Sequence, residues 1–145
     1  MDPDRLYLIF NVAVMPAWAL LIFAPRWSGT QAVVHGIWIP LMLTVAYLWF
    51  LVAGGPAPEG GGFTTLEEVM ILFTSPTAVL AGWIHYLVFD LFVGAWEVRD
   101  SIRHSIRPQL MVFPLLLTLF VGPLGLATYL VMRWVMTREV TLDER

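Results

Sequence analysis

The sequence has no cysteine and no lysine; all eight of its basic residues are arginine. Without cysteine there are no disulfides, thiolate nucleophiles, iron–sulfur clusters or cysteine zinc sites, and the redox compartment leaves no mark. Charge of either sign is scarce. Only 13% of residues are charged, where soluble domains carry about 25%. The formal net charge of −3 argues against nucleic acid as a partner, which calls for a clustered basic face. Neither a G-x-G-x-x-G run nor a P-loop occurs, so no nucleotide is implied and no cofactor is expected. No internal repeat is evident, which leaves an inverted-repeat transporter without support.

What the sequence has in excess is apolar surface. The hydrophobic fraction is 59% and the mean hydropathy +0.76. A chain of 145 residues cannot hide that much in a water-soluble core, because small domains keep much of their surface exposed. The expected class is all-α, a single integral membrane domain built as a four-helix bundle in the lipid bilayer. A crossing needs about 20 mostly apolar residues. The candidate spans are Leu6–Ala24, Gln31–Ala53, Pro76 to about Val98, and Pro108 to about Trp134. The first follows an acidic start, Met1-Asp2-Pro3-Asp4-Arg5, and is too long for a signal-peptide core, so it reads as a span.

Between the second and third spans, the run from Gly54 to Gly62 is a loop by composition. After it, Thr64 or Thr65 with Glu67 or Glu68 makes a T-x-x-E capping box. The box predicts a short helix over Thr65–Thr74, too short to cross and therefore interfacial or re-entrant. Ser75-Pro76 then restarts the helix, since serine suits an N-cap and proline the first helical position. In this arrangement Arg26, Arg99, Arg103 and Arg107 lie on one side and Arg5, Arg133, Arg138 and Arg145 on the other. The positive-inside rule gives a tie, with the dense Arg99–Arg107 segment pointing to a cytoplasmic loop and both termini outside.

Function is sought among the polar residues inside the spans, because an ionisable group there costs on the order of 2.5–3.5 kcal/mol on insertion scales. The first span has Asn11, the second His35, and the fourth only Thr118, Thr128 and Tyr129. The third holds His85, Asp90 and Glu97, with Asp100 just beyond. Asp90 and Glu97 are seven apart and share a helix face; His85 lies about 140° from Asp90. Asp90, His85 and Glu97 are the candidate catalytic groups, and Asp90 is expected to face the interior with His85 or Glu97 in reach. Asp100, nearer the helix end, is expected to matter less for chemistry. The bland alternative for Glu97 and Asp100 is a solvated salt-bridge network with Arg99 and Arg103. Asn11 and His35 read as interhelical hydrogen-bonders. Together with Trp83 and Tyr86 they are also the candidate lining of a pocket for a long apolar ligand. Gly122-Pro123-Leu124-Gly125 breaks the fourth span, and proline there predicts a kink.

Gly82–Gly94 reads G-W-I-H-Y-L-V-F-D-L-F-V-G, followed by Asp100-Ser101 and by L-L-L-T-L-F-V-G-P-L-G-L over Leu115–Leu126; L-F-T-S-P precedes it at Leu72–Pro76. Together these blocks resemble the abscisic-acid-deficient-four-like family, whose plant members are linked to neoxanthin synthesis. The resemblance implies a small multi-span membrane protein, and in plants the conversion of violaxanthin to the allenic neoxanthin. With no evident transit peptide, the chain is expected to be a bacterial-type member of the inner membrane. The implied activity is a redox-neutral isomerisation of a carotenoid or related isoprenoid lipid. It needs an acid for the epoxide oxygen and a base for a vinylic proton, tasks suited to buried carboxylates. Two alternatives stand beside it. One is a non-catalytic carotenoid- or lipid-binding membrane protein. The other is a membrane metal site drawing on His85, Asp90, Glu97, Asp100 and His35 or His104, whose spacing matches no standard motif. Metal content and oligomeric state are left open.

Overall fold

A computed structural model describes residues 2–142; Arg145, counted in the charge tally above, lies outside them. All the regular structure in this range is helical: α1 (Pro3–Phe23), α2 (Ser28–Val33), α3 (Trp38–Ala53), α4 (Leu66–Leu72), α5 (Pro76–Arg103), α6 (Pro108–Val121) and α7 (Pro123–Thr137). Among the described residues, three stretches are long and apolar enough to cross a membrane: Pro3–Phe23, Ser28–Ala53 and Pro76–Arg103.

Proline sets the interruptions. A proline cannot donate to the carbonyl four residues back and crowds it. Pro40 faces Gly36 in this way, and α2 and α3 are parted at His35-Gly36 within the expected second span. Pro76 stands in the same relation to Leu72, the last residue of α4. The capping box is built from Thr65, whose Oγ1 accepts from Glu68 N at 3.2 Å, while the Glu68 carboxylate accepts from Thr64 N at 2.9 Å.

The expected single kinked span over Pro108–Trp134 is a helical hairpin instead. Gly122 takes a positive φ of 47° between α6 and α7, and Pro123 starts α7. A methyl group placed on Gly125 would overlap the backbone of Thr118. Residues seven apart in one continuous helix are separated by roughly 10 Å, so this contact exists only because α7 folds back along α6. The local sequence cannot separate the two outcomes, since a Gly-Pro pair ends one helix and starts another as readily as it kinks one.

The helices fall into two compact units. The first runs through Ala13 and takes in Trp38–Val88. Its core is Leu43 of α3 with Leu80, Ala81, Ile84 and Leu87 of α5. The outer face of α3 shows Trp38, Met42, Val45, Trp49 and Val52 to the surroundings, the composition of a lipid-facing surface. The second unit comprises Val14–Ile37 and the chain from Phe89 onward. Its core packs Trp18 and Leu21 of α1, Val98 of α5, Met111 and Leu115 of α6, and Tyr129 of α7. Gly94 lets the Trp18 ring reach the α5 backbone, where a methyl would come within 2.7 Å of it.

Candidate functional site

In the second unit, the polar face of α5 lies along the α6–α7 hairpin in three successive steps. Asp90 is half-buried at the middle of α5. Its carboxylate rests at the hairpin turn: a Cβ on Gly122 would stand 2.9 Å from Oδ1 and 3.3 Å from Oδ2. Glycine suits position 122 for its positive φ, and its missing Cβ leaves the room in which the Asp90 carboxylate lies. The turn is also where α7 begins, and a helix N-terminus carries partial positive charge.

Two helical turns on, Glu97 is fully buried. Thr118 Oγ1 stands 3.0 Å from Glu97 Oε1, 3.1 Å from Oε2, and 3.0 Å from the Pro114 carbonyl. A hydroxyl has one hydrogen for these three oxygens. Thr118 donates either to Glu97 or to Pro114, and a proton on Glu97 would let both contacts form at once. The pair is a place where a proton can be held.

Three residues further, Asp100 is 2% exposed. Its Oδ2 accepts from the Tyr129 hydroxyl at 2.5 Å and from Arg133 Nε at 2.8 Å. Tyr129 is braced edge-on by Trp96, ring centroids 5.6 Å apart. Arg133 also donates to the Glu139 carbonyl, and its Nη2 lies 3.2 Å from His104 Nε2. The alternative of a solvated network for Glu97 and Asp100 is not what forms. Both carboxylates are inside the protein, with partners on the hairpin: Thr118, Tyr129 and Arg133. The spacing of Tyr129 and Arg133, four apart on one helix face, was the available signal. Arg133 reads from sequence only as a charge near a span end.

The remaining candidates divide between the units. In the first, Trp83 Nε1 donates to Asn11 Oδ1 at 3.2 Å, and the Trp83 ring stacks obliquely with Tyr7 and Tyr86 at 5.1 and 5.2 Å. Trp83, Tyr86 and Asn11 are therefore one cluster. His85 lines a separate cavity of about 430 Å³ in the same unit, with Tyr47, Phe50, Phe73 and Gly82 among its walls. A second, larger hollow of about 690 Å³ runs between α1 and α3, lined by Leu6, Phe10, Met42, Trp49 and Phe50 among others. His35 belongs to the second unit, where Arg99 Nη1 donates to its Nδ1 at 3.1 Å. Among the described residues no three His, Asp or Glu side chains gather as a metal ion would need.

A family model described as ABA DEFICIENT 4-like matches residues 5–129. Among curated proteins, Protein ABA DEFICIENT 4, chloroplastic, of Arabidopsis thaliana is 22% identical over 144 residues, which is 94% of this chain. The chain spans 64% of the length of that relative. No solved structure matches the chain.

Proposed function

Because the chain belongs to the ABA DEFICIENT 4-like family, we propose that it works on a carotenoid or related isoprenoid lipid inside the membrane, as an acid–base isomerase. The observation that carries this reading is the row of carboxylates Asp90 and Glu97 on α5, one set against the glycine turn and the other against the Thr118 hydroxyl. Opening an epoxide to an allenic alcohol breaks one C–O bond and one vinylic C–H bond. It forms the second double bond of the allene, and the oxygen gains a proton as the carbon loses one. No net electrons move, so the step calls for no redox cofactor. One carboxyl group delivers a proton and another basic group collects one; Asp90 and Glu97 are the groups proposed for these tasks, with Thr118 holding the Glu97 carboxyl in place. The test is expression in membranes that already contain an epoxycarotenoid. The expected product is an allenic isomer of unchanged mass. Unaltered substrate beside well-inserted protein would overturn the enzyme reading.

A second reading, a carotenoid- or lipid-binding protein without turnover, is favoured by the apolar hollow along α1 and α3. Gentle extraction, an absorption spectrum and mass spectrometry of co-purifying lipids separate it from an empty enzyme.

We also read the chain as three crossings and a re-entrant hairpin, in an inner membrane of bacterial type. At 1.5 Å per residue, α6 and α7 are about 21–23 Å long, short of the roughly 30 Å hydrocarbon core, and their turn meets α5 at its midpoint. The hairpin then leaves the membrane on the side it entered. Arg26, Arg99, Arg103, Arg107, Arg133 and Arg138 share that side, against Arg5 alone, and the tie in the positive-inside count is broken. The expected topology is N-terminus outside, C-terminus cytoplasmic. The cysteine-free chain allows a clean check: in intact cells an impermeant maleimide should label Asp2→Cys and spare Val140→Cys. Labelling of both would restore four crossings.

A further inference from the structure

The second unit holds a shallow cavity of about 350 Å³ whose walls are Arg26, Gln31, Arg99, Ile102 and Arg103. Three of the chain's eight arginines line this one hollow. Arg26 comes from the turn after α1, and Arg99 with Arg103 from successive turns at the end of α5. Arg99 and Arg103, four apart, share one helix face, and Arg26 stands at the same hollow.

The surroundings hold the cluster in place. Gln31 Nε2 donates to the Pro25 carbonyl at 3.0 Å and Thr30 Oγ1 to the Ala24 carbonyl at 2.7 Å, which pins the turn that carries Arg26. Arg99 is oriented by its bond to His35. Guanidinium groups present paired N–H donors that match the oxygens of a phosphate. The cavity also lies at the ends of two helices apolar enough to cross a membrane, the depth at which lipid headgroups sit. Phe23 and Trp27, flanking the turn, are 82% and 58% exposed, as side chains beside acyl chains and headgroups are. Basic pockets at span ends are a known setting for anionic headgroups.

We infer that Arg26, Arg99 and Arg103 form a phosphate-binding site, and that its occupant is the headgroup of an anionic phospholipid. The site is independent of the proposed isomerisation and shares none of its residues.

The experiment is native mass spectrometry and thermal unfolding of the full chain in an uncharged detergent, with phosphatidylglycerol, phosphatidylcholine or inorganic phosphate added. The wild type should retain phosphatidylglycerol in preference to phosphatidylcholine and unfold at a higher temperature with it. Arg26→Gln and Arg103→Gln, both at exposed positions, should each weaken that retention by about tenfold, the worth of one charge-assisted hydrogen-bonding group. Arg107→Gln, exposed and outside the cavity, should leave it unchanged. Equal retention by wild type and by both cavity variants overturns the site. Stabilisation by millimolar inorganic phosphate that is lost in those variants, with no preference between the two lipids, keeps the anion site and overturns the headgroup as its occupant.

Discussion

Membranes carrying Asp90→Asn protein should convert an epoxycarotenoid about 10²–10⁴ times more slowly than wild type, the usual contribution of a positioned acid–base group. Asparagine keeps the shape of the side chain, and the space left by Gly122 accepts an amide as well as a carboxylate. The folded protein should therefore persist, with unfolding in detergent close to that of wild type. What is lost is the ability to give or take a proton at the centre of α5. Gly122→Ala is the less informative change: its methyl would press on Asp90 Oδ1 at 2.9 Å and sit at a positive φ, so fold and turnover would fall together. Full turnover by well-folded Asp90→Asn protein would remove Asp90 from the reaction. Glu97→Gln should share the fall, because it removes the second carboxyl group of the row.

How far the sequence carries can be followed along α5 and the hairpin. Hydropathy finds the apolar helices because a crossing is a property of composition over 20 residues, and α1, the Ser28–Ala53 segment and α5 all have it. The Thr65 cap and the Pro76 start are equally local: each depends on residues within four positions of itself. The hairpin is not local. Whether Gly122-Pro123 kinks a helix or reverses it depends on what the far leg meets, and here Tyr129 and Arg133 meet Asp100, some 30 positions earlier in the chain. The same long-range pairing decides the state of Glu97 and Asp100. Their own helix offers Arg99 and Arg103 as neighbours, which suggests a surface network; the buried partners come from segments that the α5 sequence cannot reveal. The helix period places Asp90 and Glu97 on one face, yet says nothing of what covers that face. The arginine tally depends on the same turn: under the proposed three-crossing reading Arg133 and Arg138 change sides relative to a four-span chain.

Arg133→Met should destabilise the protein by about 3–5 kcal/mol, the cost of leaving one member of a buried ion pair without its counter-charge. Asp100 and Arg133 are each 2% exposed, and Arg133 Nε donates to Asp100 Oδ2 at 2.8 Å. The magnitude sets this pair apart from ordinary polar contacts between membrane helices, which average only about 0.6 kcal/mol. Tyr129 Oη would still donate to the orphaned carboxylate, but a single neutral hydrogen bond does not replace a guanidinium in a low-dielectric site. Asp100→Asn in the same chain should recover most of the loss, since replacing both charges removes the desolvation cost along with the attraction. The unfolding midpoint in detergent should fall on the order of 10 °C for Arg133→Met and return most of the way in the double variant. A double-mutant cycle separates this coupling from simple loss of packing around Arg133. The pair joins the end of α5 to the end of α7, so its loss should also free the hairpin. Protease should then cut sooner near Arg107, at the entry to α6, in Arg133→Met than in wild type. An unchanged midpoint together with unchanged cleavage would leave the Asp100–Arg133 pair with no part in holding the hairpin against α5.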